Sequence, residues 1–235
     1  MSEAILLYTF QQPVLERLVK YVGVLQTLQY ASTCRSHALE RKWLIVHCAL
    51  IDHRRVDELR ERGIEPKYVS AIADTLDDLE ALPAIVTHLK FGDSFNESLD
   101  DATLPPMLTH LIFGRQFDQS LRKVTLPPTL THLTFGFDFN QPLDNVTLPK
   151  SLTQLVFGHR FDQPLDNVTL PPSLTHLKFR LFFNQPLDNA TLPPSLTHLT
   201  FSFAFDQSLD HVTLPPTLTY LTVHPTYGHS LDCLP

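Results

Sequence analysis

From Leu82 onward, apolar and polar positions recur with a period of 22 residues. The dipeptide Leu-Pro begins at Leu82, Leu104, Leu126, Leu148, Leu170, Leu192 and Leu214, and every interval is 22. Seven periods in register mark a repeat architecture, in which each unit buries its apolar side chains against its neighbours. Counting each of those leucines as position 1, positions 1, 8 and 18 are always leucine, position 2 proline and position 6 threonine. Position 5 is leucine or valine, position 10 phenylalanine or valine, and position 14 phenylalanine or tyrosine. These positions are spread too widely for one amphipathic helix, and prolines at positions 2, 3 and 17 would break it. The segment Thr-His-Leu-Thr-Phe alternates, which is a strand pattern: positions 8 and 10 face one way, positions 7 and 9 the other. Parallel stacking then turns each position into a ladder with a spacing of about 4.8 Å. In the third repeat, Leu126, Leu130, Leu133, Phe135, Phe139, Leu143 and Val146 are expected to face inward. The expected fold is mainly β, a right-handed parallel β-solenoid of seven repeats (82–103, 104–125, 126–147, 148–169, 170–191, 192–213, 214–235) with a small α-helical N-terminal region.

Residues 1–50 carry a different period. Val14, Leu15, Leu18, Val22 and Leu25 follow helical spacing. Residues 51–81 are charged and read as a linker or capping segment, with a helix near Val56–Arg62. For residues 69–79 a helix and a lead-in strand are both open.

Composition narrows the classes of function. The chain has 235 residues, 43% of them apolar, enough for a sizeable core. Its 19 prolines against 7 glycines indicate a stiff path. The net charge of −7 is shared by both parts of the chain, so neither offers the basic stripe that nucleic acid or an anionic membrane would need. Cys34, Cys48 and Cys233 form no Cys-x-x-Cys pair, which fits free thiols in a reducing compartment. The opening MSEAILLYTF lacks a basic leader, and no stretch reaches 18 apolar residues. A cytoplasmic or nuclear protein is expected.

Repeat positions divide into frame and candidate surface. Asn or Asp at position 15 (Asn96, Asp118, Asn140, Asp162, Asn184, Asp206) reads as a structural bond to open backbone N–H groups. The invariant threonine at position 6 reads as a tie at the start of the strand, with an outward ice-binding array as the remote alternative. Position 7 carries His88, His110, His132, His176 and His198, interrupted by Gln154. A ladder of ~4.8 Å is wide for sharing one metal ion, so no metal site is expected. Positions 9, 12 and 13 vary most; position 9 runs Lys90, Ile112, Thr134, Val156, Lys178, Thr200, Thr222. Phe137, His159, Arg160, Leu181, Phe182 and Phe203 stand at positions 12 and 13, where other repeats place Asp, Ser or Gln. These side chains either cover the core locally or form an exposed apolar patch of the kind that anchors partners. The histidines with Lys90, Ile112, Val156, Lys178 and this group are the target-binding candidates. Glycine at position 11 (Gly92, Gly114, Gly136, Gly158) gives way to Arg180, Ser202 and His224, so a positive φ is either not required there or strains the later repeats.

The segment LPPSLTHLTFSFAFDQSLDHVT and its six relatives resemble the FNIP repeat, of the leucine-rich-repeat superfamily. Phe139-Asn140-Gln141-Pro142 and Phe183-Asn184-Gln185-Pro186 carry the family's tetrapeptide with Gln in place of Ile. The resemblance covers residues 82–235 and implies a curved β-solenoid with the strand on one face; it does not imply an enzyme. The N-terminal stretch Val14-Leu15-Glu16-Arg17-Leu18-Val19-Lys20-Tyr21-Val22 resembles an F-box, followed in register by Leu28 and Cys34. It departs from that pattern where Pro13 stands two positions late and His37 replaces a tryptophan. The F-box resemblance implies that Val14, Leu15, Leu18, Val19, Leu28 and Cys34 meet a Skp-type adaptor of a cullin ubiquitin ligase. The repeats would then hold an unidentified target protein. The alternatives are a freestanding interaction scaffold whose N-terminal helices only cap the solenoid and, remotely, a metal-binding or ice-binding solenoid. No Ser-His-Asp, phosphate-loop or metal-ligand constellation points to an enzyme, and no cofactor is expected.

Overall fold

A computed structural model describes residues 50–61 and 68–231. The chain divides into two compact units, residues 1–71 with 86–88 and residues 72–85 with 89–235. Val14, Leu15, Leu18, Val19, Leu28 and Cys34 lie outside the described residues.

In the first unit, β1 (Leu50–Asp52) is followed by a 3₁₀ turn and the helix α1 (Val56–Glu61). The helix buries Val56 and Leu59, the i, i+3 pair of its sequence. Strand β2 (Tyr68–Ala73) pairs in parallel with β1, Ile51 opposite Val69. Thr87 is tied to Val69 three ways: its N–H and hydroxyl donate to the Val69 carbonyl, and its Oγ1 accepts from the Val69 N–H. Residues 69–79 therefore hold both a strand and, past Asp74, the short helix α2 (Leu76–Glu80) of the second unit. Thr75 accepts from the Asp78 N–H and Asp78 accepts from the Thr75 N–H, a reciprocal cap that fixes where α2 starts.

The second unit is a parallel β-solenoid. After β3 (His88–Phe91) come β4 (His110–Ile112), β5 (His132–Thr134), β6 (Gln154–Val156), β7 (His176–Lys178), β8 (His198–Thr200) and β9 (Tyr220–Thr222). From β3 on, sheet order is chain order. Register is position on position: Leu111 faces Leu133, Leu133 faces Leu155, Leu155 faces Leu177. Each turn of chain between successive Leu-Pro pairs is called a rung below, numbered one to seven.

The Leu-Pro-Pro start of a rung forms a turn in which the leucine N–H at position 5 donates to the proline carbonyl at position 2, as Leu130 does to Pro127 (3.0 Å). Proline at position 3 suits this turn because its φ is already fixed at the second residue. A second turn closes at position 21, Val146 N–H donating to Leu143 (3.0 Å), with Asn145 at φ 64°. Asparagine tolerates that left-handed conformation. Between these turns the inward positions form the core. Leu126, Leu130, Leu133, Phe135, Phe139, Leu143 and Val146 are all buried, as the alternation requires. The phenylalanines of positions 10 and 14 make a double stack, Phe135 against Phe139 at 3.9 Å within a rung and Phe135 against Phe157 at 5.8 Å between rungs. The seventh rung is more open: Leu218, Leu221 and Val223 are half-buried where their counterparts are buried.

Candidate functional site: the outer strand face and its cavity

Side chains that make the frame are bonded to a neighbouring rung. Position 15 supplies an acceptor: Oδ1 of Asn140 takes the Asp162 N–H (2.9 Å) and Nε2 of Gln163 (3.1 Å). Oδ1 of Asp162 does the same for Asn184 and Gln185. Asn and Asp alternate from Asn96 to Asp206, so carboxylates in this file are two rungs apart and repel less than adjacent ones would. At position 6, Oγ1 of Thr131 donates to the Thr109 carbonyl (3.0 Å), and Thr153, Thr175 and Thr197 repeat the bond. Those hydroxyls tie successive strands together. Position 4 adds a tie that the residue pattern did not suggest: Oγ of Ser151 reaches both Pro128 O (2.7 Å) and Leu130 O (2.6 Å). Ser173, Ser195, Thr129 and Thr217 do likewise.

The histidine file is half-buried on the outer side of the strands. His110 stacks on His132 at 4.0 Å, His176 on His198 at 4.1 Å, and His198 on Tyr220 at 4.3 Å. Nδ1 of His132 lies 2.8 Å from Oγ1 of Thr131. That hydroxyl also lies 3.0 Å from the Thr109 carbonyl, so it links the ring to the preceding rung. His176 and His198 make the same contacts. The rings are within 13° of parallel, so the nitrogens of stacked neighbours run side by side and do not converge on one ion. Burial lowers the pKa of His132 and of His176, with the charge of the next histidine in the file (His176 and His198 respectively) adding to the effect. His88 bonds through Nδ1 to Thr87 and sits edge-on to Tyr68 in the first unit.

Outside this file the candidates separate. Lys90 pairs with Asp93 (3.7 Å) and Arg160 with Asp138 (3.2 Å). Phe137 is half-buried between the guanidinium of Arg115 (5.2 Å) and the ring of His159 (4.6 Å). Val156 is half-buried and Ile112 is exposed. Phe182 and Phe203 are 52% and 58% exposed, so they belong to the surface and do not cover the core. Leu181, Lys178 and His159 line a cavity of about 570 Å³ on the outer face of rungs four to seven.

Glycine at position 11 explains where that cavity lies. None of these glycines has a positive φ; the requirement is space. A Cβ on Gly136 would stand 1.7 Å from the Gly114 carbonyl oxygen, and one on Gly158 1.8 Å from that of Gly136. In the first four rungs the backbones close on each other through this column. Arg180, Ser202 and His224 then bring side chains into it, and all three line the cavity. His159, whose pKa is lowered by burial and then by the charge of Arg180, lies at its upper end.

The FNIP Repeat family profile matches residues 95–138, 139–182 and 183–224, together more than half of the chain. The chain belongs to the FNIP repeat family. Each matched FNIP segment covers two rungs and starts on a Phe-Asn pair, the same two-rung unit in which Asn and Asp alternate at position 15. Among curated proteins, none matches the chain.

Proposed function

We propose that this FNIP-repeat chain acts by binding a partner protein on the outer face of its strands, and not by catalysis. The repeat solenoid fits an interaction scaffold, because a constant frame presents variable side chains at positions 9, 11, 12 and 13. The observation that carries the reading is the exposure of Phe182 and Phe203, which follow the cavity residues Leu181 and Ser202 in the chain. Aromatic side chains, phenylalanine among them, are enriched at protein interfaces relative to the rest of the surface.

The finer reading is a substrate-recruiting adaptor working in the cytoplasm or nucleus. Its support is the F-box resemblance of residues 14–34, with Val14, Leu15, Leu18, Val19, Leu28 and Cys34 facing a Skp-type adaptor of a cullin ubiquitin ligase. The test is co-purification of the full chain with a recombinant Skp-type adaptor, wild type against a Leu15→Asp, Leu18→Asp double variant. Capture by wild type alone supports the adaptor role. If wild type captures none, that role is lost and the freestanding scaffold remains.

A further inference from the structure

Two cations line the cavity without an ion-pair partner among the described residues. In rung one, Lys90 at position 9 pairs with Asp93 at position 12. In rung five the same positions hold Lys178 and Leu181, and Lys178 makes no ion pair among the described residues. Arg180, two residues on, has its Nε buried with no hydrogen-bond partner among the described residues. An unpaired buried donor on a permanent cation is costly and invites an acceptor. Both residues line the cavity, together with the hydroxyl-bearing Thr200, Ser202 and Thr222. None of those three hydroxyls bonds to another described residue, whereas the threonines of position 6 and the serines of position 4 are all engaged. No carboxylate of the described residues lines the cavity, although the chain as a whole is acidic. Phe203, 58% exposed, meets the cavity residue His224 at 5.1 Å.

We propose that this cavity binds an acidic side chain of an extended segment of a partner protein. Arg180 and Lys178 hold its carboxylate, the hydroxyls of Thr200, Ser202 and Thr222 meet the neighbouring backbone, and the ring of Phe203 packs against an adjacent apolar residue. The charge complement is specific: the carboxylate takes the place that Asp93 fills for Lys90 in rung one. A guanidinium offers paired donors in the geometry of a carboxylate, so the site distinguishes Glu or Asp from their amides. This inference rests on the interaction reading above and names the partner's chemistry.

The experiment measures fluorescence anisotropy of two labelled hexapeptides on the full chain, one alternating Phe and Glu, the other Phe and Gln. The Glu peptide is expected to bind at least about ten-fold more tightly, with the preference shrinking as salt rises. Lys178→Met and Arg180→Gln should each reduce the preference, Arg180→Lys should keep part of it, and Lys150→Met, an exposed lysine outside the cavity, should leave it intact. Should Arg180→Gln fail to fold, Lys178→Met at an exposed position decides alone. Equal binding of both peptides overturns the acidic site. If that equal binding is also lost in Phe203→Ser, the surface still binds partners and only the acid preference has failed. Failure of wild type to bind either peptide overturns both the site and the interaction reading of this face. Sedimentation of the protein alone covers the remaining occupant: a dimer dissolved by Lys178→Met would mean a second copy fills the cavity, which also overturns the proposal.

Discussion

Rungs three and four and rungs five and six are alike on the inside and unlike on the outside. Leu133, Leu155, Leu177 and Leu199 are equally buried, and the phenylalanines behind them stack with the same geometry. Yet the earlier pair closes its outer face through Gly136 and Gly158, while the later pair opens it with Arg180 and Ser202. The difference separates two tasks. The interior sets the period and supplies most of the stability, since apolar area removed from water grows with every rung. One outer column sets where backbones touch and where a cavity with unpaired cations remains. A solenoid can therefore alter its surface chemistry locally without changing its register.

The largest effect should come from striking the shared interior. Leu155 is fully buried, and Leu155→Ala is expected to cost about 2–5 kcal/mol in urea unfolding, the range for a core leucine. The same change at Leu221 removes a half-buried side chain from the open seventh rung and should cost clearly less. Equal losses at the two positions would mean that the seventh rung is as well packed as the fourth.

The glycine column provides a sharper contrast. Gly136→Ala sets a methyl 1.7 Å from the Gly114 oxygen, which backbone must give way to admit. Overpacking of that kind is expected to cost about 1–3 kcal/mol. Ser202→Ala stands in the same column of the open half, where a Cβ is already accommodated, and should change stability by less than about 0.5 kcal/mol. If both alanines are neutral, close backbone approach is not what keeps position 11 glycine in the early rungs.

Residues that repeat in every rung made the interior readable. Leucine at position 8 and phenylalanine at positions 10 and 14 give parity directly, and Asn or Asp at position 15 bonds the next rung's backbone as its polarity implies. The ties made by Ser151 and Ser173 were hidden because their acceptors lie 21 and 23 residues earlier, a relation that exists only once the rungs are stacked. Glycine at position 11 suggested a question about φ, and the answer was a contact between rungs. Residues 69–79 left strand and helix open because they contain both, although Thr75 and Asp78 carry the spacing of a helix start. The cavity at Arg180 was not legible at all. Lys178, His159 and Leu181 were visible as variable residues, but that Lys178 lacks a carboxylate and that Arg180 buries its Nε are facts of packing.

The smallest effect concerns the histidine file, which runs along both halves with one natural break at Gln154. His132 and His176 have their pKa lowered, first by burial and then by the neighbouring histidine charge. In the unfolded chain a histidine titrates near about 6.5. Above that value both states are neutral and the file contributes its full stability. As pH falls through the unfolded value, the unfolded chain takes up protons first, so stability is lost until the lower folded values are passed. The urea midpoint should therefore fall between pH 7.5 and 5.5. Gln154 shows that glutamine is accommodated at this position, so His132→Gln and His176→Gln are conservative probes. Each variant should lose less of its midpoint over that interval than wild type. NMR titration supplies the direct check: folded values for His132 and His176 above that of a free histidine would reverse the sign and remove this account of the acid sensitivity.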